Sequence, residues 1–412
     1  MKILMVNKFH YIKGGSETYY FALKRLLEAK GHEVIDFSMK DEKNFDSSYS
    51  DYFVDGVDYN GPMGVRDQIR SAMNIIYSRE AAKKIEALIQ DTHPDICHLH
   101  IFQHQLSPSI LGVLKKYNIA TVYTAHDLKM LCLNYVMMTN DGQICEKCKG
   151  GKYINCLLRK CLKNSTAKSA ICVVEGYLHK WLKSYDQIDR ILTPSRFYKD
   201  KFVEFGIEPE RVLHLSNFLD RERPEVNESH DKEQYFLYFG RLSREKGIMT
   251  LIRAMEGTKR QLYIMGSGPC KEEIEVYLAE HNLTEQIKML GFKSGQDLVD
   301  VVGNAGAVIL PSEWYENGPY SAIESLQLGR PIIGSDLGGI PELIDGNGYI
   351  FRHGDVEQLR QLILNFPQSG TDEYLALCAA SERIFRDRYM SEKHYEKLMK
   401  VYQEAIEARK KE

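Results

Sequence analysis

The chain has 412 residues, enough for two or three domains of ordinary size. Hydrophobic residues make up 43% and charged residues 27% of the sequence, which is typical of a globular protein and excludes collagen-like, low-complexity and disordered classes. The net charge of −3 argues against nucleic acid as the main partner. No apolar run reaches the roughly 18 residues that span a bilayer, and the N-terminus lacks a signal-peptide core. We therefore expect a cytoplasmic protein.

The first half of the chain alternates short apolar runs with amphipathic stretches. The run at residues 2–6 predicts a buried parallel strand, and a loop with Gly14 and Gly15 leads into helical spacing over residues 18–29. Further strands are predicted at residues 34–37, 95–100, 120–124 and 190–193, and a helix at residues 80–90. This alternation predicts a doubly wound α/β domain.

A second α/β domain is predicted after the charged, irregular segment at residues 220–234. An apolar strand at residues 235–239 runs into a glycine-containing loop at residues 240–247 and a helix from about Met249, which repeats the opening of the first half. Further strands are predicted at residues 261–265, 287–290, 307–310 and 331–334. Two such domains would face each other across a cleft, and ligands of parallel sheets bind beyond the carboxyl ends of the strands.

We place the N-terminal domain at residues 1–218 and the C-terminal domain at residues 219–390. The Lys- and Glu-rich tail at residues 391–412 predicts a helix that packs back toward the N-terminal domain.

The densest cluster of functional residue types occupies residues 311–324, between a predicted strand and a predicted helix. Pro319 suits the first helical turn, and Gly318 before it lets a ligand approach the backbone. The N–H groups from Asn317 to Tyr320 would lie at the positive end of the helix dipole. The cluster therefore predicts a phosphate site.

Two carboxylates and two cations accompany this anion site. Glu316 in the loop and Glu324 about one turn into the helix suit hydrogen bonds from hydroxyl groups, such as those of a sugar and a ribose. Arg241 and Lys246, on the loop after the first strand of the same domain, could flank a diphosphate. No Asp-x-Asp motif is present to hold a divalent ion, so fixed cations and the helix N-terminus would stabilise the leaving group. The alternative is that these are ordinary solvated charges.

The sequence resembles the GT-B-fold glycosyltransferases of family 4 over nearly its whole length. The matching motifs are the Gly14-Gly15 loop, His126-Asp127 after a strand, Gly240-Arg241-Leu242-Ser243 with Lys246-Gly247, Gly266-Ser267-Gly268-Pro269, and Glu-x7-Glu at Glu316 and Glu324. The resemblance implies an α/β GT-B fold of two Rossmann-like doubly wound domains facing a cleft. It also implies a retaining hexosyltransferase that moves a sugar from a nucleotide-sugar to a glycan or lipid-linked acceptor in polysaccharide or glycoconjugate biosynthesis. We favour a UDP-linked donor over a GDP-linked one. No cofactor would be required at the donor site.

The resemblance also implies roles for individual residues. Arg241 and Lys246 would bind the diphosphate, and Glu324 the ribose. Glu316 and His126 would be the catalytic residues, with Glu316 on hydroxyls of the donor sugar and His126 near the anomeric carbon. The remaining donor-binding positions would be Gly15, Gly266, Asn317, Gly318, Pro319, Tyr320 and, through backbone contact with the base, Phe292. The resemblance further implies that the acceptor attacks the anomeric carbon from the front face, while the β-phosphate helps to deprotonate the acceptor.

A cysteine-rich, basic insert is predicted at about residues 141–165. Cys145, Cys148, Cys156 and Cys161 have a spacing that could hold a structural Zn²⁺, although the second pair departs from the usual two-residue spacing. Reduced, unliganded thiols are the alternative.

The same region carries a strong positive charge. Residues 147–183 contain nine Lys or Arg and one acidic residue, Glu175, with apolar residues interleaved. Such a patch could rest on anionic lipid headgroups at the inner face of a membrane. A solvated helix face is the alternative, and a nucleic-acid partner is not expected because aromatics at stacking spacing are lacking.

Three histidines follow each other closely near a strand end. Alternation along a strand places His98 and His100 on one face, and His104 follows. We favour a role in lining the cleft or the acceptor side over simple packing, and both over a metal site.

Two further functions stay open from the sequence. One is a non-catalytic nucleotide-sugar-binding or scaffold protein. The other is a different GT-B activity, such as a nucleotide-sugar epimerase or a sugar phosphorylase.

Overall fold

The structure is a computed structural model and describes residues 1–56, 74–227 and 234–411. It divides into an N-terminal unit, Met1–Ser216 with Ser391–Glu412, and a C-terminal unit, Asn217–Met390. The C-terminal tail thus belongs to the same unit as the N-terminus. Among the described residues, no helix combines the length and the apolarity needed to cross a bilayer.

The N-terminal unit is built on one parallel sheet of six strands in the order β2-β1-β3-β4-β5-β6. Its strands are β1 (Lys2–Val6), β2 (Glu33–Phe37), β3 (Ile96–Leu99), β4 (Ala120–Thr124), β5 (Arg190–Thr193) and β6 (Val212–His214). Its helices are α1 (Gly15–Ala29), α2 (Arg79–Thr92), α3 (Ser109–Lys116), α4 (Ile154–Leu158), α5 (Thr166–Trp181), α6 (Arg196–Glu204) and, in the C-terminal tail, α13 (Ser391–Arg409). The strands are almost wholly buried, as expected of a parallel sheet covered on both faces.

The C-terminal unit also contains one parallel sheet of six strands, in the order β12-β11-β10-β7-β8-β9. Its strands are β7 (Tyr235–Phe239), β8 (Gln261–Met265), β9 (Ile287–Gly291), β10 (Ala307–Leu310), β11 (Ile332–Ser335) and β12 (Gly348–Phe351). Its helices are α7 (Ile248–Met255), α8 (Lys271–Glu280), α9 (Gly295–Gly303), α10 (Tyr320–Gln327), α11 (Val356–Leu364) and α12 (Asp372–Arg388).

The core of the C-terminal unit shows why this sheet is covered on both faces. Phe236 and Tyr238 of β7 pack into one hydrophobic cluster together with α7 and α8. Their neighbours Tyr235, Leu237 and Phe239 pack into a second cluster with α9 and α10. Because side chains alternate along a strand, one continuous apolar run supplies both layers. The doubly wound α/β architecture predicted from the sequence is confirmed in each unit.

Each sheet has one point at which the strand order reverses direction. In the N-terminal unit this point lies between β1 and β3, and in the C-terminal unit between β7 and β10. Loops at the carboxyl ends of these strand pairs diverge and leave a crevice, which is where ligands of open α/β sheets bind. The loops after β1, β3, β7 and β10 are therefore the places to look for a site.

Candidate functional site

Three loops meet at the carboxyl edge of the C-terminal sheet. They follow the adjacent strands β7, β8 and β10, and glycines allow their close approach. A Cβ atom on Gly266 would lie 1.9 Å from the carbonyl oxygen of Gly240, and one on Gly247 would lie 1.9 Å from that of Pro311. Gly247 also has a φ of 66°, in the left-handed region that favours glycine. These glycines serve loop-to-loop packing, which holds the polar side chains of the loops in place.

Lys246 and Glu316 are brought together where the β7 and β10 loops meet. The Lys246 Nζ donates to Glu316 Oε1 at 2.6 Å, and the Ser312 hydroxyl donates to the same oxygen at 2.7 Å. Glu316 is 6% exposed. Burial alone would raise its carboxyl pKa, but the ammonium and the hydroxyl outweigh burial, so the pKa of Glu316 lies below its ordinary value. Glu316 is therefore a fixed carboxylate beside a fixed cation.

The backbone of Glu316 is held from a loop that the sequence analysis did not single out. Gly339 N–H donates to the Glu316 carbonyl at 2.7 Å, and a Cβ on Gly338 would lie 2.4 Å from the Glu316 backbone. Gly338 has a φ of 63°. The signal available in the sequence was the Gly-Gly pair shortly after the apolar run of β11.

Glu324 lies on α10, which begins at Tyr320. Its Oε1 accepts a hydrogen bond from Arg221 Nη2 at 3.2 Å. Burial raises the pKa of Glu324, and the guanidinium of Arg221 opposes that effect only in part. Arg221 is a second residue that sequence reasoning missed, because it comes from the irregular segment before β7, where no periodicity marks it.

The N-terminus of α10 faces the same loop system. Pro319 is the N-cap residue and its carbonyl accepts from Ala322 N–H at 3.1 Å, so the helix begins one residue later than predicted. The preceding Gly318 carbonyl accepts from Asn217 Nδ2 at 2.9 Å. The shift arises because Pro319 has an extended ψ of 133° and caps the helix instead of entering it. Asn317, which precedes this turn, belongs to the same loop.

Two further predicted donor residues lie at the edge of this arrangement. Arg241 follows β7, and its side chain is exposed, while its carbonyl accepts from the Tyr238 hydroxyl at 2.8 Å. Phe292 directly follows β9 and is 74% exposed. The Gly291 carbonyl next to it accepts from Gly266 N–H at 2.8 Å. The structure thus places Arg241 and Phe292 on loops of this edge, with no side-chain contact to the Lys246–Glu316 pair among the described residues.

The N-terminal unit places the start of α1 at its own switch point. Gly15 is the first residue of α1, and Glu17 in the first turn is 3% exposed. Burial raises the pKa of Glu17. The Glu17 carboxyl accepts hydrogen bonds at the start of α1 and competes with an anion for the same donors, so this loop suits hydroxyl groups better than phosphate. The signal available in the sequence was a Glu two residues after the glycine pair.

His126 follows β4 and contacts His100, which follows β3. The His126 Nε2 and the His100 Nδ1 are 3.0 Å apart, and the two rings stack at 5.3 Å with an angle of 21°. Burial lowers the pKa of His126 to about 3 and the pKa of His100 well below its ordinary value. Both rings are therefore neutral at physiological pH, and one ring donates its single N–H to the other.

The role predicted for His98 and His100 in lining a cleft is wrong for these two side chains. Both are fully buried, and their rings stack at 4.4 Å. His98 bonds the hydroxyl groups of Tyr402 at 2.6 Å and Thr124 at 2.7 Å. The sequence could not reveal this, because Tyr402 comes from α13, more than 300 residues away along the chain. The prediction that His98 and His100 share one strand face is confirmed.

The four cysteines of the predicted zinc site lie in one lobe of the N-terminal unit. Cys148 and Cys156 pack in a small hydrophobic cluster, and Cys161 packs against it. Cys156 and Cys161 share a hydrogen bond, which lowers the pKa of Cys161. Among the residues that the structure describes, no three of these four thiols, Cys145 included, lie within 4.8 Å of one another. The zinc site formed by the four cysteines stays a prediction.

Comparison with known proteins places this architecture in a family. A sequence profile described as Glycosyltransferase Family 4 matches residues 13–223, and one described as Glycosyl transferases group 1 matches residues 220–374. The amylovoran biosynthesis glycosyltransferase AmsK of Erwinia amylovora is 24% identical over 226 residues, which are 52% of this chain and 56% of AmsK. The chain therefore spans little more than half the length of this relative.

Solved structures extend the likeness to the whole chain. Sucrose-phosphate synthase from Thermosynechococcus elongatus superposes with a TM-score of 0.71 at 18% identity, and covers 99% of this chain and 100% of that one. Alr3699/HepE from Anabaena, in complex with UDP, superposes with a TM-score of 0.65 at 16% identity, covering 98% and 100%. At these identities the likeness shows the fold, which is the GT-B fold of two Rossmann-like units. The family-4 profile spans more than half of the chain, and the chain belongs to glycosyltransferase family 4.

Proposed function

We propose that this protein transfers a sugar from a nucleoside-diphosphate donor to a hydroxyl group of a glycan or lipid-linked acceptor, with retention at the anomeric carbon. The observation that carries the proposal is the contact between Lys246 and Glu316 at the switch point of the C-terminal sheet, beside the N-terminus of α10. This contact places an ammonium, a carboxylate and helix N–H groups within one loop system. A sugar diphosphate needs these three kinds of group.

The diphosphate would be bound by positive groups that are fixed before the donor arrives. Lys246 is held by Glu316, and its Nζ also lies 5.0 Å from the centre of the Trp314 ring. Together with Arg241 and the N-terminus of α10, it would stabilise the charge that develops on the leaving diphosphate. Because these groups are preorganised, they need no reorganisation during the reaction. No metal is needed for this step in the proposal.

The two carboxylates would orient the neutral parts of the donor. Glu316 is ionised because of its lowered pKa and can accept hydrogen bonds from sugar hydroxyls. Glu324, one turn into α10, would accept from the ribose. A carboxylate beside a diphosphate costs binding energy unless it is paired, and the partners Lys246 and Arg221 supply that pairing.

In the chemical step, the bond between the anomeric carbon and the diphosphate oxygen breaks while the acceptor oxygen bonds to the same carbon from the same face. The acceptor proton passes to the departing β-phosphate, so that the nucleoside diphosphate leaves and no residue of the protein is consumed. His126 would be the residue of the N-terminal unit that acts on the sugar. As a neutral ring held by His100, it would donate or accept a hydrogen bond without adding charge.

The base of the donor is proposed to be uracil. Alr3699/HepE, whose fold this chain shares, has been solved with UDP and with UDP-glucose. We carry this preference to the present chain as part of the proposal.

The donor site is tested by thermal shift with UDP, GDP, UDP-glucose and GDP-mannose. A ligand at 100 times its Kd should stabilise the fold by about 2.7 kcal/mol. We expect UDP and UDP-glucose to raise the melting temperature and Lys246→Ala to abolish the shift. The matched control is Lys271→Ala, because Lys271 is an exposed lysine of α8 that pairs only with Glu275 among the described residues.

Turnover is measured as UDP released when a candidate acceptor is added. Release that needs the acceptor supports the transferase proposal. Tight UDP binding with no release by any acceptor extract would instead favour a nucleotide-sugar-binding scaffold. Interconversion of the donor sugar without an acceptor would favour an epimerase.

We propose that the protein binds an anionic membrane surface, where it meets its acceptor. The contact would be made by an exposed apolar face of residues 135–182. We call this face the insert surface. Its apolar side chains, each more than 40% exposed, are Tyr135, Ile154, Leu158, Val174, Tyr177, Trp181 and Leu182. Val174, Tyr177 and Trp181 follow each other at helical spacing on α5 and form one stripe. Leu157 and Leu162, which are among the apolar residues interleaved with the basic ones, pack inward against the hydrophobic cluster of Cys148 and Cys156.

The charge around the insert surface favours anionic lipid over a protein partner of mixed charge. Nine Lys or Arg lie between residues 147 and 183, and the single acid there, Glu175, is buried against Lys129. One of the nine, Lys149, is paired with Glu204, and the nearby Glu146 is paired with Lys201. Each basic residue near an anionic bilayer contributes about 1 kcal/mol. Trp181, 79% exposed, is an amphipathic side chain suited to the headgroup level.

Sedimentation with vesicles tests the insert surface. We expect binding to phosphatidylserine-containing vesicles, little binding to pure phosphatidylcholine, and loss of binding in Leu158→Ser with Trp181→Ser. The matched control is Val276→Ser, a residue of the C-terminal unit that is also exposed, at 56%. Equal binding by the double variant would refute the surface while leaving the donor site untouched.

A further inference from the structure

A group of three metal-ligating side chains lies in the N-terminal unit, and none of the three is among the four cysteines predicted to bind zinc. Its cysteine, Cys172, packs in the same hydrophobic cluster as Cys148 and Cys156. His104 comes from the loop after β3, and Cys172 and Glu175 come from α5. One ligand atom of each lies within 4.8 Å of the others. Among the described residues this is the only such group of three that could hold a metal ion.

The local structure explains why these side chains converge. Cys172 and Glu175 are three residues apart on a helix and therefore project from one face. Cys172 is 3% exposed and Glu175 is 2% exposed. His104 approaches from the neighbouring loop, and its Nε2 lies 3.8 Å from Glu175 Oε2. The Glu175 carboxylate is therefore close to the reach of an ion bound by His104, because nitrogen and oxygen ligands on a tetrahedral zinc lie roughly 3.3–3.5 Å apart.

Two buried polar atoms of the group have no hydrogen-bond partner in the described part of the chain. They are His104 Nε2 and Glu175 Oε1. Leaving a buried acceptor unsatisfied costs about 1–3 kcal/mol, so such atoms call for a ligand. Both belong to residues of the same group.

Lys129 completes the surroundings without competing for the free oxygen. Its Nζ donates to Glu175 Oε2 at 3.2 Å and to the Leu133 carbonyl at 3.0 Å. Glu175 Oε1 is thereby left for another partner. A metal-bound carboxylate whose second oxygen is hydrogen-bonded is the usual arrangement around a metal. The positive charge of Lys129 also offsets the two anionic ligands, Glu175 and a Cys172 thiolate.

We propose that His104, Cys172 and Glu175 bind one Zn²⁺, with a water molecule as the fourth ligand. One nitrogen, one thiolate and one carboxylate form a ligand set that suits zinc, and three protein ligands leave one position open. The ion would tie the loop after β3 to α5, the helix that carries the apolar stripe of the insert surface. This proposal does not depend on the transferase function.

The experiment uses the full chain, stripped of metal with a chelator and reloaded with Zn²⁺ or with Co²⁺ as a spectroscopic probe. We expect about one equivalent to bind at this site, and cobalt to give visible d–d bands with a thiolate-to-cobalt charge-transfer band. Cys172→Ser should lose that band and weaken binding more than about 100-fold, because even changes beside a metal ligand cost 10–100-fold. Cys270→Ser, in the C-terminal unit, is the matched cysteine control.

Two further variants keep the test decisive. His104→Asn changes the least buried ligand, so it should fold as judged by circular dichroism and still lose the metal. Cys148→Ser separates the two cysteine groups: metal lost in Cys148→Ser and kept in Cys172→Ser would overturn the proposal in favour of the four-cysteine site. Absence of bound metal in the wild-type chain would overturn it as well.

Discussion

The two units place different chemistry at the same point of related sheets. At its switch point the C-terminal unit has fixed charges, with Lys246 bonded to Glu316 and, nearby, Arg221 bonded to Glu324. The N-terminal unit instead gathers buried histidine rings, among them His98 and His100, close to the ionisable side chains of Lys8 and Asp127. The strand-order reversal supplies a crevice in both units, and the side chains decide what can bind in it. The two fixed ion pairs of the C-terminal unit suit a diphosphate, and the hydrogen-bonding rings of the N-terminal unit suit a sugar or an acceptor hydroxyl.

The largest effect is expected where the charged arrangement is broken. Glu316→Gln keeps the shape of the side chain but removes the charge that holds Lys246. We expect kcat to fall about 100- to 1,000-fold, the usual loss for one preorganised polar group at a reacting centre. UDP affinity should fall much less, because Glu316 is assigned to the sugar. Steady-state kinetics and UDP titration measure the two quantities separately.

Glu313→Gln is the control for that variant. Glu313 lies in the same loop, but its carboxylate accepts from the Thr250 hydroxyl instead of from Lys246. It should leave kcat within a few-fold of the wild-type value. A similar fall in kcat in both variants would show that the loop needs its carboxylates for folding. The fixed charge at Glu316 would then have no demonstrated role in catalysis.

The next effect concerns the response of the two units to acid. Burial lowers the pKa of His98, His126 and His394 to about 3, whereas an unfolded chain protonates histidine near pH 6.5. The unfolded state therefore takes up protons first as the pH falls below 6.5. Each of these histidines should cost the N-terminal unit about 1.6 kcal/mol between pH 6.5 and pH 5.0.

The C-terminal unit should respond differently over the same range. Glu316 has a lowered pKa, so the stability it contributes is present above about pH 4.5 and is lost only at lower pH. The raised pKa of Glu324 acts in the opposite direction and favours the folded state as the pH falls. Hydrogen exchange followed by mass spectrometry, corrected for the intrinsic rate at each pH, resolves the two units.

A histidine substitution sharpens this test. His98→Asn should reduce the acid sensitivity of the N-terminal unit, and His281→Gln, at an exposed position of the C-terminal unit, should leave it unchanged. Equal acid sensitivity of both units would contradict the assignment of neutral buried histidines.

The sequence predicted the fold better than the contacts within it. Apolar runs bounded by glycine loops located most strands, and β7, β8 and β10 have the predicted bounds, because a parallel strand buried on both faces must be continuously apolar. The short edge strands β6 and β12 were missed, since three or four residues with Gly, Tyr or His among them give no clear periodicity.

The candidate site was likewise predicted only in part. The motif Glu-x7-Glu and the loop with Arg241 and Lys246 were found because they are local in sequence. The partners that orient the carboxylates, Arg221 for Glu324 and the glycine loop behind Glu316, are distant and carry no local signal. The group of His104, Cys172 and Glu175 was also missed, since its members are up to 71 residues apart and only the fold brings them together.

The smallest effect is expected for the ion pair between Arg221 and Glu324 in the C-terminal unit. Here a change in stability can be measured separately from a change in UDP binding. Arg221→Ala removes a half-exposed ion pair with Glu324, so the free energy of unfolding should fall by only about 0.2–1 kcal/mol. Arg223→Ala removes the more exposed ion pair with Glu382 and should cost no more than Arg221→Ala. The two variants differ in the role of the carboxylate that loses its partner, Glu324 or Glu382. If Glu324 binds the ribose, the loss of Arg221 should weaken UDP up to about fivefold, the equivalent of 1 kcal/mol, while Arg223→Ala leaves the Kd unchanged. If both variants bind UDP like the wild type, Arg221 has no role in binding the donor. The charged pair that acts on the donor in the C-terminal unit would then be Lys246–Glu316 alone.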